Sequence, residues 1–265
     1  MTRLDAALAD RGLARSRTHA ARLIADGLVT VNGRGIVKAS HAVTDTDEIA
    51  VAGADHYVSR AAHKLIAALD AFQIDPTGRT ALDMGASTGG FTQVLRKRGA
   101  SAVMAVDVGH DQLDAQIAAD PGVHAVEGFN VRYMTPENLA AATGITERPT
   151  LVTGDLSFIS LDHVLPAVAA TAAPGADIVL LIKPQFEVGR TAVKGGLVTD
   201  AATRADAVAQ VLWTAWDLGF GVHGLTPSPI VGTHGNSEYL VHLSDTGGEN
   251  PTEYRDQIQR MTERA

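Results

Sequence analysis

From residue 80 onward, apolar runs of strand length alternate with segments of helical spacing. The clearest strand patterns are TALDMG, AVMAVD, VHAVEG, TLVTGD and DIVLLIK, and two more, VHGLTPSPI and SEYLVHLS, lie near the end of the chain. This alternation predicts an α/β fold with a mostly parallel, Rossmann-like sheet and helices on both faces. The final two strands, which are joined by a loop rich in glycine and proline, are expected to add an antiparallel edge strand.

The first 53 residues follow a different pattern, which indicates a separate small domain. Helical spacing over residues 2–11 is followed by a second helix, which Ser16 caps and Gly27 ends, and by a hairpin that turns at Asn32-Gly33. The stretch RGLARSRTHAARLIADGLVTVNG resembles the S4 RNA-binding domain, which implies a small α+β RNA-binding unit. A hairpin that only docks onto the rest of the chain is the alternative. We therefore expect an RNA-binding domain at 1–53, a linker at 54–59 and the α/β domain at 60–265.

Basic residues are concentrated in this N-terminal segment, although the whole chain has a formal net charge of −8. Residues 1–40 contain seven arginines and lysines and three aspartates, which gives +4 and leaves −12 for the remainder. Such a segment is typical of a surface that contacts phosphates, which position RNA without reading its sequence. A solvated charged helix is the alternative. The expected RNA-binding residues are Arg3, Arg11, Arg15, Arg17, Arg22, Arg34, Lys38 and Arg60.

Composition excludes several classes of protein. The sequence contains no cysteine, which excludes disulfides, zinc–thiolate sites and thiol catalysis. Residues 1–12 lack the apolar core of a signal peptide, and no run approaches the roughly 18 apolar residues that cross a bilayer. The ten histidines are scattered without the spacing of a metal site. We expect a cytoplasmic protein that uses no metal and does not enter membranes.

The stretch LDMGASTGGF follows the first strand of the α/β region and opens a helix, as a nucleotide-binding turn does. Asp107 ends the next strand, where a carboxylate can accept hydrogen bonds from both ribose hydroxyls of a nucleoside. These features fit a dinucleotide or S-adenosylmethionine. GASTGG lacks the G-x-G-x-x-G pattern of dinucleotide sites, and Asp83 would repel a pyrophosphate but suits a cationic amino-acid group. We therefore predict S-adenosylmethionine, with contacts from Asp83, Gly85, Ala86, Ser87, Thr88, Gly89, Gly90, Phe91, Asp107, Asn130, Asp155 and Phe158.

Two polar residues, Asp155 and Lys183, end the strands TLVTGD and DIVLLIK. Ligands of open α/β sheets lie outside the carboxyl ends of the strands, so both side chains are expected at the same crevice as the glycine turn. A buried ammonium group is costly unless it is paired or used. The pair is therefore predicted to be catalytic, although Asp155 alone fits a turn cap equally well.

Aromatic and amide side chains near these strand ends are further candidates. Phe158 and Phe186 follow Asp155 and Lys183, and either ring could stack on adenine or on a flipped target base. Packing inside the protein is the alternative and the more common fate of phenylalanine. Asn130 follows the third strand and is expected on the adenine side of the cofactor.

The stretches DMGASTGGF, GDLSFISL, LIKPQFEVG and GNSEYLVHL, in this order behind the RNA-binding pattern, resemble the TlyA family of bacterial rRNA 2′-O-methyltransferases. This family lies within the FtsJ-like group and is sometimes labelled as haemolysins. The resemblance covers nearly the whole chain and implies a class I methyltransferase fold that methylates a cytidine ribose in 23S rRNA, and also in 16S rRNA. The Lys–Asp–Lys–Glu tetrad of the group falls on Lys64, Asp155, Lys183 and Glu238. Thr88 stands where relatives often have proline.

The resemblance implies a mechanism in which Lys183 removes the proton of a ribose hydroxyl, which requires the lysine to be uncharged for part of the time. Burial and the nearby charge of Lys64 would favour the uncharged form, Asp155 would orient Lys183, and Glu238 would hold Lys64 or the ribose. The expected substrate is folded rRNA or a ribosomal subunit, and the sequence identifies no protein partner. The alternatives are a membrane-active haemolysin, a nicotinamide-dependent oxidoreductase, and an RNA-binding protein without methyltransferase activity.

Overall fold

The structure is a computed structural model that describes residues 1–14, 16–25, 27–51, 57–189, 193, 195–232 and 235–263. Its N-terminal part is a small α+β unit in which two helices pack against each other. These helices are α1 (Leu4–Asp10) and α2 (Arg17–Ala25). Ser16 Oγ accepts a hydrogen bond from the His19 amide at 3.1 Å, which confirms the predicted cap.

Short antiparallel strands complete the N-terminal unit. A pair consists of β1 (Thr2–Arg3) and β4 (Ala42–Val43), and a three-stranded sheet consists of β2 (Val29–Val31), β3 (Arg34–Gly35) and β5 (Ile49–Val51). Asn32 and Gly33 connect β2 to β3 with φ angles of 52° and 76°, as a two-residue hairpin turn requires. The buried side chains of Leu8, Ile24 and Val29 belong to one apolar cluster that joins the helices to the sheet.

The main sheet has seven strands within the described residues. They are β6 (Thr80–Met84), β7 (Ala102–Val106), β8 (Val123–Val126), β9 (Leu151–Gly154), β10 (Asp177–Ile182), β11 (Gly221–Pro227) and β12 (Tyr239–Ser244). Their spatial order is β11-β12-β10-β9-β6-β7-β8, and the five strands from β10 to β8 run parallel. The predicted mostly parallel sheet is confirmed.

The final two strands form the antiparallel end of the sheet, as the sequence predicted, and the order of these two strands is a finding of the structure. β12 runs antiparallel to β10 on one side and to β11 on the other, so β11 forms the edge of the sheet. Burial explains this order, because all six residues of β12 are buried, whereas β11 includes exposed residues and an irregularity between Val222 and Gly224.

Helices cover both faces of the sheet. They are α3 (Ala61–Phe72), α4 (Gly90–Lys97), α5 (Ala115–Ala118), α6 (Pro136–Thr143), α7 (Leu165–Thr171), α8 (Pro184–Glu187), α9 (Ala201–Asp217) and α10 (Arg255–Glu263). One face packs against Leu65 and Val94 of α3 and α4, and the other packs against Val168 and Leu212 of α7 and α9. The α/β fold with helices on both faces is therefore confirmed.

The stretch DQLDAQIAAD, residues 111–120, has the spacing of a longer helix, but α5 takes up only four of these residues. Asp111 has a left-handed φ of 55°, and Asp114 caps the helix by accepting a hydrogen bond from the Gln116 amide. The residues before the cap form a turn beside the glycine loop, where the Ser87 hydroxyl donates to Gln112 at 3.2 Å. Contact with that loop, which helical spacing does not encode, replaces the first part of the helix.

Candidate active site

Three neighbouring strands bring the predicted catalytic residues to one edge of the sheet. β9 lies between β10 and β6, and all three are parallel, so their carboxyl ends meet. Asp155 directly follows β9, and Lys183 lies between β10 and α8. Lys64 reaches the same point from α3, and Glu238 reaches it from the residue before β12.

The four side chains form one connected cluster of charges. Lys64 Nζ lies 2.7 Å from Glu238 Oε2 and 3.3 Å from Asp155 Oδ2. Lys183 Nζ lies 2.6 Å from Asp155 Oδ1, a close ion pair, and donates a hydrogen bond to Ser157 Oγ at 2.9 Å. Asp155 therefore bridges the two ammonium groups, one on each carboxylate oxygen.

Burial and charge together set the protonation of this cluster. Lys64, Lys183 and Glu238 are all buried. Burial disfavours the charged form of Lys64, but Asp155 and Glu238 outweigh it and raise the pKa of the ammonium group. Burial likewise opposes the charge of Asp155, but Lys64 and Lys183 outweigh it and lower the pKa of the carboxyl group. Two positive and two negative groups thus neutralise one another in a site from which water is largely excluded.

The structure changes the effect that the charge of Lys64 was expected to have on Lys183. The sequence argument used Lys64 as a like charge that favours the uncharged form of Lys183. In the structure Lys64 is paired with two carboxylates, one of which also contacts Lys183. Asp155 and Glu238 therefore offset the positive charge of Lys64, which was expected to favour the uncharged form of Lys183.

A cavity of about 450 Å³ adjoins the cluster and fits the predicted cofactor in size. Its wall includes Gly85, Ser87, Asp107, Asn130 and Phe158, all of which were predicted cofactor contacts. The backbone of the turn is unusual, since the φ angle is +79° at Gly85, 47° at Ser87 and +96° at Gly89. A side chain on Gly85 would lie 3.2 Å from the Asp155 carbonyl, so glycine is what keeps the turn close to the strand end.

Asp107 is held at the far side of this cavity by backbone groups. Its Oδ2 accepts a hydrogen bond from the Ser87 amide at 2.8 Å, and its Oδ1 accepts one from the Gly109 amide at 2.7 Å. Each carboxylate oxygen has a second lone pair, so both remain able to accept a ribose hydroxyl. Contact with a ribose stays a prediction.

Asp83 does not lie where the sequence argument placed it. The side chain is fully buried, and its carboxylate accepts hydrogen bonds from Thr92 at 2.6 Å and Thr153 at 3.3 Å. It lines neither the cavity described above nor the one beside the lysines. Burial raises the pKa of Asp83 to about 7. The carboxylate is thus held between Thr92 of α4 and Thr153 of β9, and its contact with the cofactor stays a prediction.

Two smaller cavities adjoin the lysines on either side. One, of about 210 Å³, lies beneath the glycine turn, and its wall includes the remaining predicted contacts, which are Ala86, Thr88, Gly90 and Phe91. The other, of about 280 Å³, lies between Lys183, Glu238 and Phe186. Gly89, at the start of α4, is not among the residues that line any of these three cavities.

Several residues that line these cavities were not predicted from the sequence, and three of them carry polar or aromatic groups that could contact a ligand: Gln112, Phe129 and Ser157. Gln112 and Phe129 lie in the wall of the cavity of about 450 Å³. Ser157 lines all three and hydrogen-bonds to Lys183. Its position in the loop directly after a strand end, two residues beyond Asp155, is the signal that could have identified it.

Phe158 and Phe186 form an aromatic pair at the mouth of the site. Their ring centroids are 5.1 Å apart, and Phe158 is 91% exposed. Phe158 also has a left-handed φ of 64°, which is rare for a large side chain. Its exposure contradicts the packing alternative for this residue, and the stacking role stays a prediction.

The predicted RNA-binding residues divide into two groups. Arg3 and Arg17 both pair with the buried carboxylate of Asp5, and Arg11 donates to the carbonyls of Thr44 and Asp47. These three arginines therefore also stabilise the N-terminal unit. The group with exposed side chains and no such contact among the described residues comprises Arg22, Arg34 and Lys38. Arg15 lies outside the described residues.

Arg60 lies at the junction of the two parts of the chain. It precedes α3 and lines the cavity beneath the glycine turn together with Lys64. Its guanidinium group also packs against Gly27 of the N-terminal unit, where a side chain would collide with it. Contact of Arg60 with RNA stays a prediction.

Metal-binding clusters and membrane-spanning helices are both absent from the described residues. No group of three or more histidine, aspartate or glutamate side chains in this part of the chain could hold a metal ion. No helix among the same residues has the length and apolar character needed to cross a membrane.

Comparison with known proteins assigns both parts of the chain. The FtsJ-like methyltransferase family matches residues 57–245, and the S4 domain matches residues 2–49. The 16S/23S rRNA (cytidine-2′-O)-methyltransferase TlyA of Mycobacterium tuberculosis is 48% identical over 91% of this chain and 89% of its own length. The 23S rRNA (cytidine-2′-O)-methyltransferase TlyA of Campylobacter jejuni is 34% identical over 70% of each chain.

A solved structure agrees over almost the entire chain. A protein of Streptococcus thermophilus that carries a hemolysin name has a TM-score of 0.75 and 36% identity, and covers 99% of this chain and 94% of its own. Together with the sequence relatives, this match confirms the family resemblance carried by the four motifs.

Proposed function

The chain belongs to the FtsJ-like methyltransferase family, in its TlyA branch, and from this membership we propose that it methylates the 2′-hydroxyl of a cytidine in ribosomal RNA. Membership of this family implies S-adenosylmethionine as the methyl donor. Both relatives named above act on 23S rRNA, and one of them also acts on 16S rRNA. We propose 23S rRNA as a substrate of this chain and 16S rRNA as a second one.

The single observation that carries the proposal is the position of Lys183. Its ammonium group is buried beside Asp155 and lines two of the cavities that meet at the strand ends. The wall of one of these cavities includes the glycine turn. The wall of the other includes the aromatic pair Phe158 and Phe186. A donor bound at the turn and a ribose bound on the other side would therefore meet at Lys183.

We propose that Lys183 accepts the proton of the 2′-hydroxyl as the ribose oxygen attacks the methyl carbon. The donor supplies an electrophilic methyl group on a sulfonium centre. Asp155 orients Lys183 and stabilises the positive charge that forms on it. Glu238 holds Lys64, and Lys64 in turn fixes the second oxygen of Asp155. Holding both reactants in line supplies much of the rate, since methyl transfer needs a nearly linear approach.

The N-terminal domain is proposed to bind folded RNA. Its exposed basic side chains contact phosphates, while the acidic remainder of the chain repels RNA. A short oligonucleotide is therefore expected to bind weakly. Folded rRNA in a ribosomal subunit is large enough to contact both domains. The boundaries at residues 53 and 60, and the roles of the individual site residues, are part of the same proposal.

Methyl transfer to each isolated ribosomal subunit decides the proposal. We expect label from tritiated S-adenosylmethionine to enter the large subunit, and nucleoside analysis to identify 2′-O-methylcytidine. Lys183→Ala should reduce this transfer by about 100-fold or more while sparing cofactor binding. Lys97→Ala, on the exposed side of α4, is the matched control. Near-normal turnover by Lys183→Ala, or label found only on bases, would contradict the proposal.

A further inference from the structure

We propose that Ser157 is a positioning residue for Lys183, and that it directs the nitrogen lone pair of that lysine toward the ribose. This inference deepens the proposed function and rests on it, because it concerns the geometry of the same proton transfer. Ser157 lies outside the Lys–Asp–Lys–Glu tetrad. Its hydroxyl is the acceptor of the hydrogen bond that Lys183 donates at 2.9 Å.

The partners of Lys183 occupy two of the three directions open to its terminal nitrogen. One direction leads to Ser157 Oγ and another to Asp155 Oδ1 at 2.6 Å. No other hydrogen bond or ion pair of this nitrogen exists among the described residues. Lys183 is 7% exposed and lines the cavities on both sides, so a ligand in either cavity can approach the nitrogen from the third direction.

When Lys183 loses its proton, its two partners determine the direction of the nitrogen lone pair. A neutral amine has two N–H donors and one lone pair. Asp155 and Ser157 offer only acceptor oxygens to this nitrogen when the serine hydroxyl points elsewhere, so the two N–H bonds turn toward them. The lone pair is then left in the third direction. Without the serine hydroxyl, one N–H bond is free to rotate, and the lone pair loses its fixed orientation.

The proposed step balances in protons and electrons. The lone pair of Lys183 forms an N–H bond with the 2′-hydroxyl proton while the ribose oxygen forms a bond to the methyl carbon. The carbon–sulfur bond breaks, and its electron pair stays on sulfur, which becomes neutral. The ammonium group then releases its added proton to water before the next turnover.

The loop that carries Ser157 is held at both ends by one short segment. At one end Lys183 contacts Asp155 and Ser157. At the other end Glu187 accepts hydrogen bonds from the Ser160 hydroxyl at 2.6 Å and from the Leu161 amide at 3.1 Å. Lys183 directly precedes the four-residue helix α8, and Glu187 is the last residue of that helix, so the helix sets the distance between the two attachments. Ser157 is thereby placed as firmly as the lysine that it orients.

The decisive comparison is between Ser157→Ala, Ser157→Thr and a matched serine variant. Ser101→Ala is the control, because that hydroxyl also donates hydrogen bonds but lies before β7, at the opposite end of the sheet. Methyl transfer to isolated large and small ribosomal subunits is followed at saturating RNA and S-adenosylmethionine from pH 6 to 9. Binding of S-adenosylmethionine alone is measured by calorimetry.

We expect Ser157→Ala to lower kcat by about 10- to 100-fold, as a misplaced catalytic group does, with KM for RNA and cofactor affinity within twofold of wild type. The rise of rate with pH should also move to lower pH, because the ammonium form loses an acceptor that stabilises it. Ser157→Thr should recover most of the rate, and Ser101→Ala should match wild type.

Three results would overturn the inference. One is wild-type turnover by Ser157→Ala. Another is a pH profile of Ser157→Ala equal to that of the wild type. The third is a loss of kcat in Ser157→Thr as large as the loss in Ser157→Ala. A wild-type protein that methylates neither subunit would overturn the proposed function as well. An active wild type with an equally active Ser157→Ala variant would overturn only the role of the serine.

Discussion

At the scale of single residues, three carboxyl groups have different roles because their surroundings differ. Asp155 stays charged because two ammonium groups surround it. Glu187 is half-buried and accepts hydrogen bonds only from neutral donors among the described residues, and burial raises its pKa to about 7. Asp83 is the most deeply buried of the three and has two threonine hydroxyls for partners. The same side-chain type therefore serves the site, the adjoining loop and the core.

Asp83→Asn should flatten the pH dependence of stability between about pH 4 and pH 7. Folding raises the pKa of Asp83 to about 7, so in this range the folded state keeps a proton that the unfolded chain has released. The free energy of unfolding therefore falls as pH rises toward 7 and levels off above it. Asparagine cannot titrate, so the slope should decrease by at most about 1.4 kcal/mol per pH unit.

Urea unfolding at half-unit steps from pH 4.5 to 8 measures this slope. Glu187 contributes with the same sign, so part of the decline should remain in the variant. Asp10→Asn, at the exposed end of α1, is the control and should keep the wild-type slope. Cofactor affinity should change little, because Thr92 and Thr153 hold the carboxylate away from the cavities. An unchanged slope, or a large loss of affinity, would contradict this assignment.

At the scale of elements, the contact between α3 and α4 places Lys64. A side chain on Gly90, the first residue of α4, would lie 2.8 Å from Ser59 Cβ and 3.2 Å from the Ala62 backbone nitrogen. Both are at the start of α3, which carries Lys64 one turn further on. The absence of a side chain at Gly90 thus lets the two helices approach closely.

Gly90→Ala should therefore destabilise the protein and weaken methyl transfer together. Overpacking of this kind costs about 1–3 kcal/mol, which exceeds the gain of about 0.5–1 kcal/mol that alanine brings to a helix. Thermal unfolding and methyl transfer to ribosomal subunits measure the two effects. Gly189→Ala is the control, since no heavy atom lies within 4 Å of its added methyl group. Equal stability of the two variants would show that α3 and α4 can separate without cost.

Much of the fold and of the site could be predicted because local pattern determines them. The strand–helix alternation gave the parallel sheet, and parallel strands necessarily bring Asp155 and Lys183 to one edge. Lys64 and Glu238 were predicted only through family resemblance, since they arrive from distant elements. The family relation thus supplied what periodicity alone does not encode.

The remaining features depend on tertiary packing, which the sequence pattern does not show. The enclosure of the Asp83 side chain could not be predicted because a strand buried on both faces gives no sign of which face receives a polar side chain. The order of β11 and β12 could not be predicted because burial of both faces of β12 is visible only in the assembled sheet. Ser157 was missed because its importance lies in one hydrogen bond to a residue 26 positions away.

At the scale of the whole molecule, charge is divided between a basic first segment and an acidic remainder. The N-terminal unit uses part of its positive charge internally, since side-chain hydrogen bonds from Arg3 and a further bond from Arg17 lower the pKa of Asp5 to about 2. Replacing either arginine would remove one of the two cationic partners of this buried carboxylate. The exposed group identified above is therefore the better probe of RNA binding.

Replacing Arg22, Arg34 and Lys38 by glutamine should weaken binding to ribosomal subunits and reduce its dependence on salt. Each lost phosphate contact lowers the slope of log Kd against log salt by about 0.7–0.9, so the triple variant should lose about 2–3. Turnover at saturating subunit concentration should stay near wild type, because the three side chains lie on the N-terminal domain. Binding between 50 and 300 mM KCl measures the slope, with Arg255→Gln, on the exposed start of α10, as the control. A slope equal to wild type would mean that RNA is bound elsewhere, whereas a normal slope change with lost turnover would mean that this surface also positions the ribose for Lys183.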